Sequence, residues 1–203
     1  MYNDITGIIL AGGKSSRMGV NKALLIMNGK SIIEHIVVLF KSIFGRVMLV
    51  TNNPDDYLFL GIEIFCDVYP GKGPLAGIHS GLVHSNTEKN FIISCDIPLI
   101  NKEIMEYIIE FKTIHPITVV KAEGYIQQLC GIYYKSLALI ADKILIENQT
   151  IENGSSKPKC KVMSLMDVAG AEIIESNNMP CYTEGMFLNI NEPDDYLMLL
   201  GKV

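Results

Sequence analysis

The segment Leu10-Ala11-Gly12-Gly13-Lys14-Ser15-Ser16-Arg17-Met18-Gly19, followed by Val20-Asn21-Lys22, sets adjacent glycines among cationic side chains. Adjacent glycines let backbone amides come close to a phosphate chain. Lys14, Arg17 and Lys22 would supply the positive charge that such a chain needs. Two common phosphate loops are excluded. A Walker loop ending in Gly13-Lys14-Ser15 would need a glycine at position 8, which is Ile8, and no GxGxxG occurs here. Asp96 directly follows the mostly apolar residues 91–95 and precedes Ile97-Pro98. A carboxylate there suits Mg²⁺, which takes one or two carboxylates and fills its shell with phosphate oxygens and water. Asp67 is a further candidate. It is close to the end of the expected strand 62–65, and a carboxylate there can accept two hydrogen bonds. Gly73 and Gly77 bracket Pro74-Leu75-Ala76, a stretch suited to close approach of a flat base or sugar. Together these groups describe phosphate chemistry at a glycine loop. The plainer alternative for each is a solvated turn.

These groups need a scaffold that brings them together. Short apolar runs alternate with longer amphipathic ones. Strands are expected at residues 5–10, 47–51, 62–65, 91–95, 117–121, 129–133 and 187–190. The first and fourth are continuous apolar runs, as expected of strands buried on both faces of a largely parallel sheet. Helices are expected at 31–44, 101–114, 136–146 and 192–200. Ser31 with Glu34 matches a capping box, Asn101 is placed to cap the second helix, and a further helix would start at Gly73-Pro74 and carry Ile78, Leu82 and Val83. Residues 148–158, with Gly154, Ser155 and Ser156, read as a surface loop. Strand and helix alternating in this way predict an α/β fold: a three-layer, doubly wound, mostly parallel sheet. Ligands in such folds sit beyond the carboxyl ends of the strands, where both the glycine segment and Asp96 fall.

Composition narrows the function further. The chain has 203 residues and a net charge of −5, and its apolar fraction of 49% excludes a disordered chain. The acidic balance carries no footprint of general nucleic-acid binding. The cysteines, Cys66, Cys95, Cys130, Cys160 and Cys181, form no CxxC pair, which argues against a zinc site or a disulfide framework. His35, His79, His84 and His115 show no ligand spacing and read as structural. No apolar run approaches the ~20 residues of a membrane span. The first apolar run follows Asp4 rather than a basic stretch, so a soluble, cytoplasmic protein is expected.

The string Leu-Ala-Gly-Gly-x-Ser-x-Arg-Met-Gly-x-x-Lys resembles the signature loop of nucleotidyltransferases. Its Gly-Gly form is similar to that of the molybdenum cofactor guanylyltransferases. Further marks recur in order: Asp67 before Tyr69-Pro70-Gly71, then Gly73-Pro74-Leu75-Ala76-Gly77-Ile78, Cys95-Asp96-Ile97-Pro98, and Phe187-Leu188-Asn189-Ile190-Asn191-Glu192-Pro193. The resemblance implies a Rossmann-like nucleotidyltransferase fold over a single domain, residues 1–203. It also implies transfer of GMP from GTP to the phosphate of a molybdopterin cofactor, with pyrophosphate released. Leu10, Ala11, Gly12, Gly13, Lys22, Asp67 and Asp96 would bind GTP, and Asp96 would also hold Mg²⁺. Arg17, Lys22 and Asp96 would be catalytic. Asn189 and Asn191 resemble acceptor-side asparagines, although turn and helix-cap roles before Pro193 explain them almost as well. Transient contact with molybdoenzymes or other cofactor-biosynthesis proteins is expected.

One departure is Gln127-Gln128-Leu129, where the family commonly has Gln-Pro-Leu, so no catalytic role is carried onto Gln127. The resemblance says least about residues 148–178. A cytidylyltransferase for the same pterin or a small sugar-phosphate nucleotidyltransferase is the alternative enzyme. A non-catalytic nucleotide-binding module is the alternative of another class, and the combination of Arg17, Lys22 and Asp96 argues against it.

Overall fold

The computed structural model describes residues 1–12, 21–150, 161–190 and 193–201. In chain order the strands are β1 (Tyr2–Leu10), β2 (Ile26–Met27), β3 (Lys30–Ser31), β4 (Phe44–Val50), β5 (Glu63–Phe65), β6 (Lys89–Ser94), β7 (Ile117–Ala122), β8 (Tyr125–Tyr134) and β9 (Glu172–Glu175). The helices are α1 (Ile32–Ile43), α2 (Pro74–His84), α3 (Lys102–Glu110), α4 (Leu137–Thr150), α5 (Val162–Ala169) and α6 (Pro193–Leu200). Seven strands form one sheet in the order β5-β4-β1-β6-β8-β7-β9, while β2 and β3 pair separately. β5, β4, β1 and β6 run parallel, β8 is antiparallel to both of its neighbours, and β9 is parallel to β7.

Apolar residues of both parities along β1 and β6 are explained by two cores. Ile5 and Ile9 of β1, with Phe91 and Ile93 of β6, pack on the side of α1, α3 and Leu199 of α6. Ile8, Leu10 and Ile92 pack on the opposite side, with α2, α4 and α5. Because successive side chains of a strand point to opposite faces, this is a sheet covered by helices on both sides. The expected three-layer, doubly wound, mostly parallel α/β architecture is therefore present. Among the described residues, no helix is long and apolar enough to cross a membrane.

Local signals place the helices. The Ser31 backbone N–H donates to Glu34 Oε2 at 2.7 Å and fixes the start of α1. Asn101 Oδ1 accepts from the Ile104 N–H at 2.9 Å and starts α3. That helix ends at Glu110, short of the expected 114, because Ile114 is exposed and Pro116 follows. Helix α4 extends through Thr150, so residues 148–150 of the expected loop are helical, and residues 151–158 lie outside the described residues.

Two strand expectations need correction. Residues 187–190 form no strand. Phe187 and Ile190 are buried, but their segment turns locally, with the Leu188 N–H donating to the Gly185 carbonyl at 3.1 Å. Its apolar residues fill the core without joining a ladder. The strand of the seven-stranded sheet that was not expected is β9, an edge strand that starts and ends on glutamates and, with Ile173 partly exposed, gives no run of buried residues.

Candidate active site

The chain leaves β1 through α1 to β4 and β5 on one side, then returns to place β6 on the other side of β1. Such a reversal opens a crevice at the carboxyl ends of the two parallel strands. Leu10, Ala11 and Gly12 emerge from β1 there, and Ser94, Cys95 and Asp96 emerge from β6. The Cys95 N–H donates to the Leu10 carbonyl at 3.0 Å, so the two tips are locked side by side. The Ala11 N–H donates to the Val50 carbonyl at 2.9 Å. That amide is thus held in the sheet, and Ala11 contributes position rather than a free donor. Apart from its chain neighbours, no atom of the described residues lies within 4 Å of where a Cβ would stand on Gly12.

Asp96 is the most unusual group of the crevice. Its Oδ1 is buried and, among the described residues, has no hydrogen-bond partner. Burial pushes the carboxyl pKa up, opposed by a hydrogen bond from Ser94 and by the charge of Lys22. A buried carboxylate oxygen without a donor suits a cation. Among the described residues, no group of three or more His, Cys, Asp or Glu could hold a metal ion. A cation on Asp96 would therefore need ligands from a bound substrate, as Mg²⁺ with a polyphosphate does. The neighbouring Cys95 thiol is pushed by burial up to about 12, which removes it as a nucleophile.

Lys22 is placed by a short 3-10 turn, Lys22–Leu24. Asn21 Oδ1 accepts from the Ala23 N–H at 3.2 Å, Asn21 Nδ2 donates to Tyr57 Oη at 2.9 Å, and Ala23 is buried. The cation thus comes from an anchored turn, close enough for its charge to act on Asp96.

Asp67 lies across the mouth. Its Oδ2 accepts from Asn52 Nδ2 at 2.7 Å, and its N–H donates to Asn52 Oδ1 at 3.3 Å. The next amide, Val68 N–H, donates to Ser80 Oγ at 2.8 Å. Burial raises the Asp67 pKa while the Asn52 bond lowers it. Asp67 Oδ1 stays 3.8 Å from where a Cβ would stand on Gly77, and Leu10 Cδ2 is 3.5 Å from the same point. Asp67, the end of β1 and the first turns of α2 therefore converge. Gly73 precedes α2 at φ +76°, a conformation that favours glycine, and Pro74 opens the helix.

The segment that carries Asn189 contacts the Asp96 backbone. The Ile190 N–H donates to the Asp96 carbonyl at 3.0 Å, which brings half-buried Asn189 next to the site. Gly13, Lys14, Arg17 and Asn191 lie outside the described residues. His79 is buried in α2, with Nε2 3.5 Å from Asp142 Oδ1, which also accepts from Tyr69 Oη at 2.6 Å. The sequence reading missed Asn52 and Ser80. Asn52 was within reach of the rule that strand ends face the crevice, since it follows the expected strand 47–51. Ser80 carried no signal, because only the folded α2 brings it to Val68.

A family model described as the MobA-like NTP transferase domain matches residues 7–152. A "Probable molybdenum cofactor guanylyltransferase" from Carboxydothermus hydrogenoformans is 39% identical over 199 residues, covering 97% of this chain and 95% of the relative. A protein of the same name from Clostridium perfringens is 36% identical, covering 96% of this chain and 95% of the relative. Among solved structures, the molybdopterin-guanine dinucleotide biosynthesis protein A from Archaeoglobus fulgidus superposes with a TM-score of 0.79 at 20% identity, covering 98% of this chain and 100% of that one. A CMP:2-keto-3-deoxy-manno-octonic acid synthetase complexed with CTP reaches a TM-score of 0.73 at 12% identity, covering 98% of each chain. At these identities both structures speak for the fold alone. The family match and the full-length relatives go further: this chain belongs to the MobA-like NTP transferase family.

Proposed function

We propose that this protein is a molybdenum cofactor guanylyltransferase that joins GMP from GTP to the terminal phosphate of a molybdopterin cofactor and releases pyrophosphate. The observation that supports this reading most is the buried Asp96 oxygen, without a hydrogen-bond partner among the described residues, next to the end of β1 and within the influence of Lys22. In the reaction an oxygen of the pterin phosphate bonds to the α-phosphorus of GTP, and the bond from that phosphorus to the bridging β-phosphate oxygen breaks. The attacking oxygen is already anionic near neutral pH, so no side chain need remove a proton. The barrier lies in bringing two polyanions together, and its remedy is positive charge and positioning.

Each residue then has a role. Gly12 and Gly13 admit the phosphates to the backbone, with Leu10 and Ala11 setting the turn. Lys22 and Arg17 neutralise phosphate charge. Transferases of this family use a divalent cation; Mg²⁺ held by Asp96 and the phosphates would stabilise negative charge on the transferring group. Asp67 accepts a hydrogen bond from the guanosine, at the base edge or the ribose. Asn189 and Asn191 would bind the acceptor. The reading further takes the chain as one nucleotidyltransferase domain, acting in the cytoplasm and making transient contact with the molybdoenzymes or biosynthetic proteins that handle its product.

Nucleotide choice is testable without the pterin. In the presence of Mg²⁺, GTP should raise the melting temperature more than CTP or UTP at equal concentration, because a ligand that binds the folded state stabilises it by mass action. Equal shifts for all three would remove the guanine assignment.

A further inference from the structure

The acceptor-side segment has an anchor that the reading above does not use. Residues 123 and 124 form the two-residue turn between β7 and β8, with φ +54° at Glu123 and +82° at Gly124. Both are left-handed, a pattern that favours Asn-Gly or Asp-Gly. A glutamate there is uncommon, because its Cβ crowds the backbone and its longer side chain lacks the local hydrogen bonding of Asn. Here Glu123 reaches away from the turn. Its Oε1 accepts from the Gly185 N–H at 2.8 Å and from Tyr182 Oη at 3.2 Å.

Those contacts tie the hairpin to residues 182–190. Gly185 is itself buried at φ +86°, and its carbonyl accepts from the Leu188 N–H at 3.1 Å. The rings of Tyr182 and Phe187 stack at 6.3 Å. At the far end, the Ile190 N–H meets the Asp96 carbonyl at 3.0 Å. A cleft of about 310 Å³, lined by Glu123, Glu184, Gly185, Leu188, Met198 and Gly201, opens beside the segment. On that side the segment borders open space; buried Phe187 and Ile190 hold it to the core, and the hydrogen bonds at its two ends set where the residues between them lie.

We infer that Glu123 is a positioning residue for the acceptor, resting on the guanylyl-transfer reading: it clamps residues 182–190 so that Asn189 stands beside Asp96. Releasing the clamp would leave the GTP side intact, since Lys22, Asp67 and α2 are held by other contacts. It would let the acceptor side wander, and positioning of this kind is lost steeply with small displacements.

The test compares Glu123→Asn with Glu123→Gln, measuring pyrophosphate release against varied GTP and varied molybdopterin. Asparagine suits the turn but is too short for Gly185 and Tyr182. Glutamine keeps a carbonyl of the right reach. The expected result for Glu123→Asn is a KM for the pterin raised about tenfold, a KM for GTP within about twofold of normal, and a melting temperature no lower than that of the unaltered protein. Glu123→Gln should restore the pterin KM to within about threefold of normal. An unchanged pterin KM in Glu123→Asn, or equal rises in both KM values, overturns the inference while leaving guanylyl transfer standing. If the unaltered protein releases no pyrophosphate from GTP with the pterin, the guanylyl-transfer reading falls, and this inference with it.

Discussion

Asp96 shows how a reactive residue sets itself against the fold that holds it. Burial raises its folded pKa above the unfolded value of about 3.9, so the ionised form is the one that folding disfavours. The sign follows from linkage: the stability associated with this carboxyl is present below the unfolded pKa and is lost as pH rises through the folded one. Asp96→Asn keeps the shape and removes the charge. It should melt above the unaltered protein near pH 7 without nucleotide, with the gap closing as the pH falls to about 3. The same variant should lose about a thousandfold in turnover, the scale on which a lost electrostatic stabiliser acts. Scanning calorimetry across pH and steady-state turnover check the two halves. A destabilised Asp96→Asn variant, or one with normal turnover, would contradict the assignment. Lys22→Ala belongs to the same prediction. It removes a charge that lowers the Asp96 pKa, so it should cut turnover by about a hundredfold and move that pKa further up.

Helix α2 and strand β1 are the elements on which the GTP side depends. A Cβ on Gly81 would stand 2.8 Å from Ile8 Cγ2, so α2 approaches β1 more closely than any side chain at that position permits. Gly81→Ala should cost about 1–3 kcal/mol through overpacking and push α2 off the sheet. Because the first turns of α2 meet Asp67 and Leu10, the KM for GTP should rise while the KM for the pterin holds. Denaturant unfolding and nucleotide kinetics measure both. This close approach was not legible in the sequence, where Gly81 is one glycine in a helical stretch. β1, β6, α1 and α3 were legible because their signals are local: runs buried on both faces, a capping box, an asparagine cap. Residues 187–190 and β9 were misread for a related reason. Apolarity reports burial, whereas strand pairing depends on what lies alongside. Glu123 gave no signal at all, since its partners are some sixty residues away in the chain and meet it only after folding. Asn52 could have been found from its place after a strand end.

At the scale of the whole molecule, a chain of net charge −5 is proposed to bind two polyanions. The contradiction is resolved by where the charges lie. Lys22 sits at the crevice, Lys14 and Arg17 are close to it in the sequence, and Asp96, on which the Lys22 charge acts, is proposed to work through a cation. The sheet supplies the rest of the arrangement. Its strand order turns back at β1 and β6, so the glycine turn and Asp96 share one edge, and the hairpin after β7 anchors the segment that brings Asn189 to the same place. The account stands or falls on which bond of GTP is broken. The direct measurement is to supply GTP labelled at the α-phosphate, with Mg²⁺ and molybdopterin, and to locate the label after turnover. The account predicts label in a pterin–GMP dinucleotide and none in the released pyrophosphate. Label in free GMP or GDP, with the pterin unmodified, would contradict it.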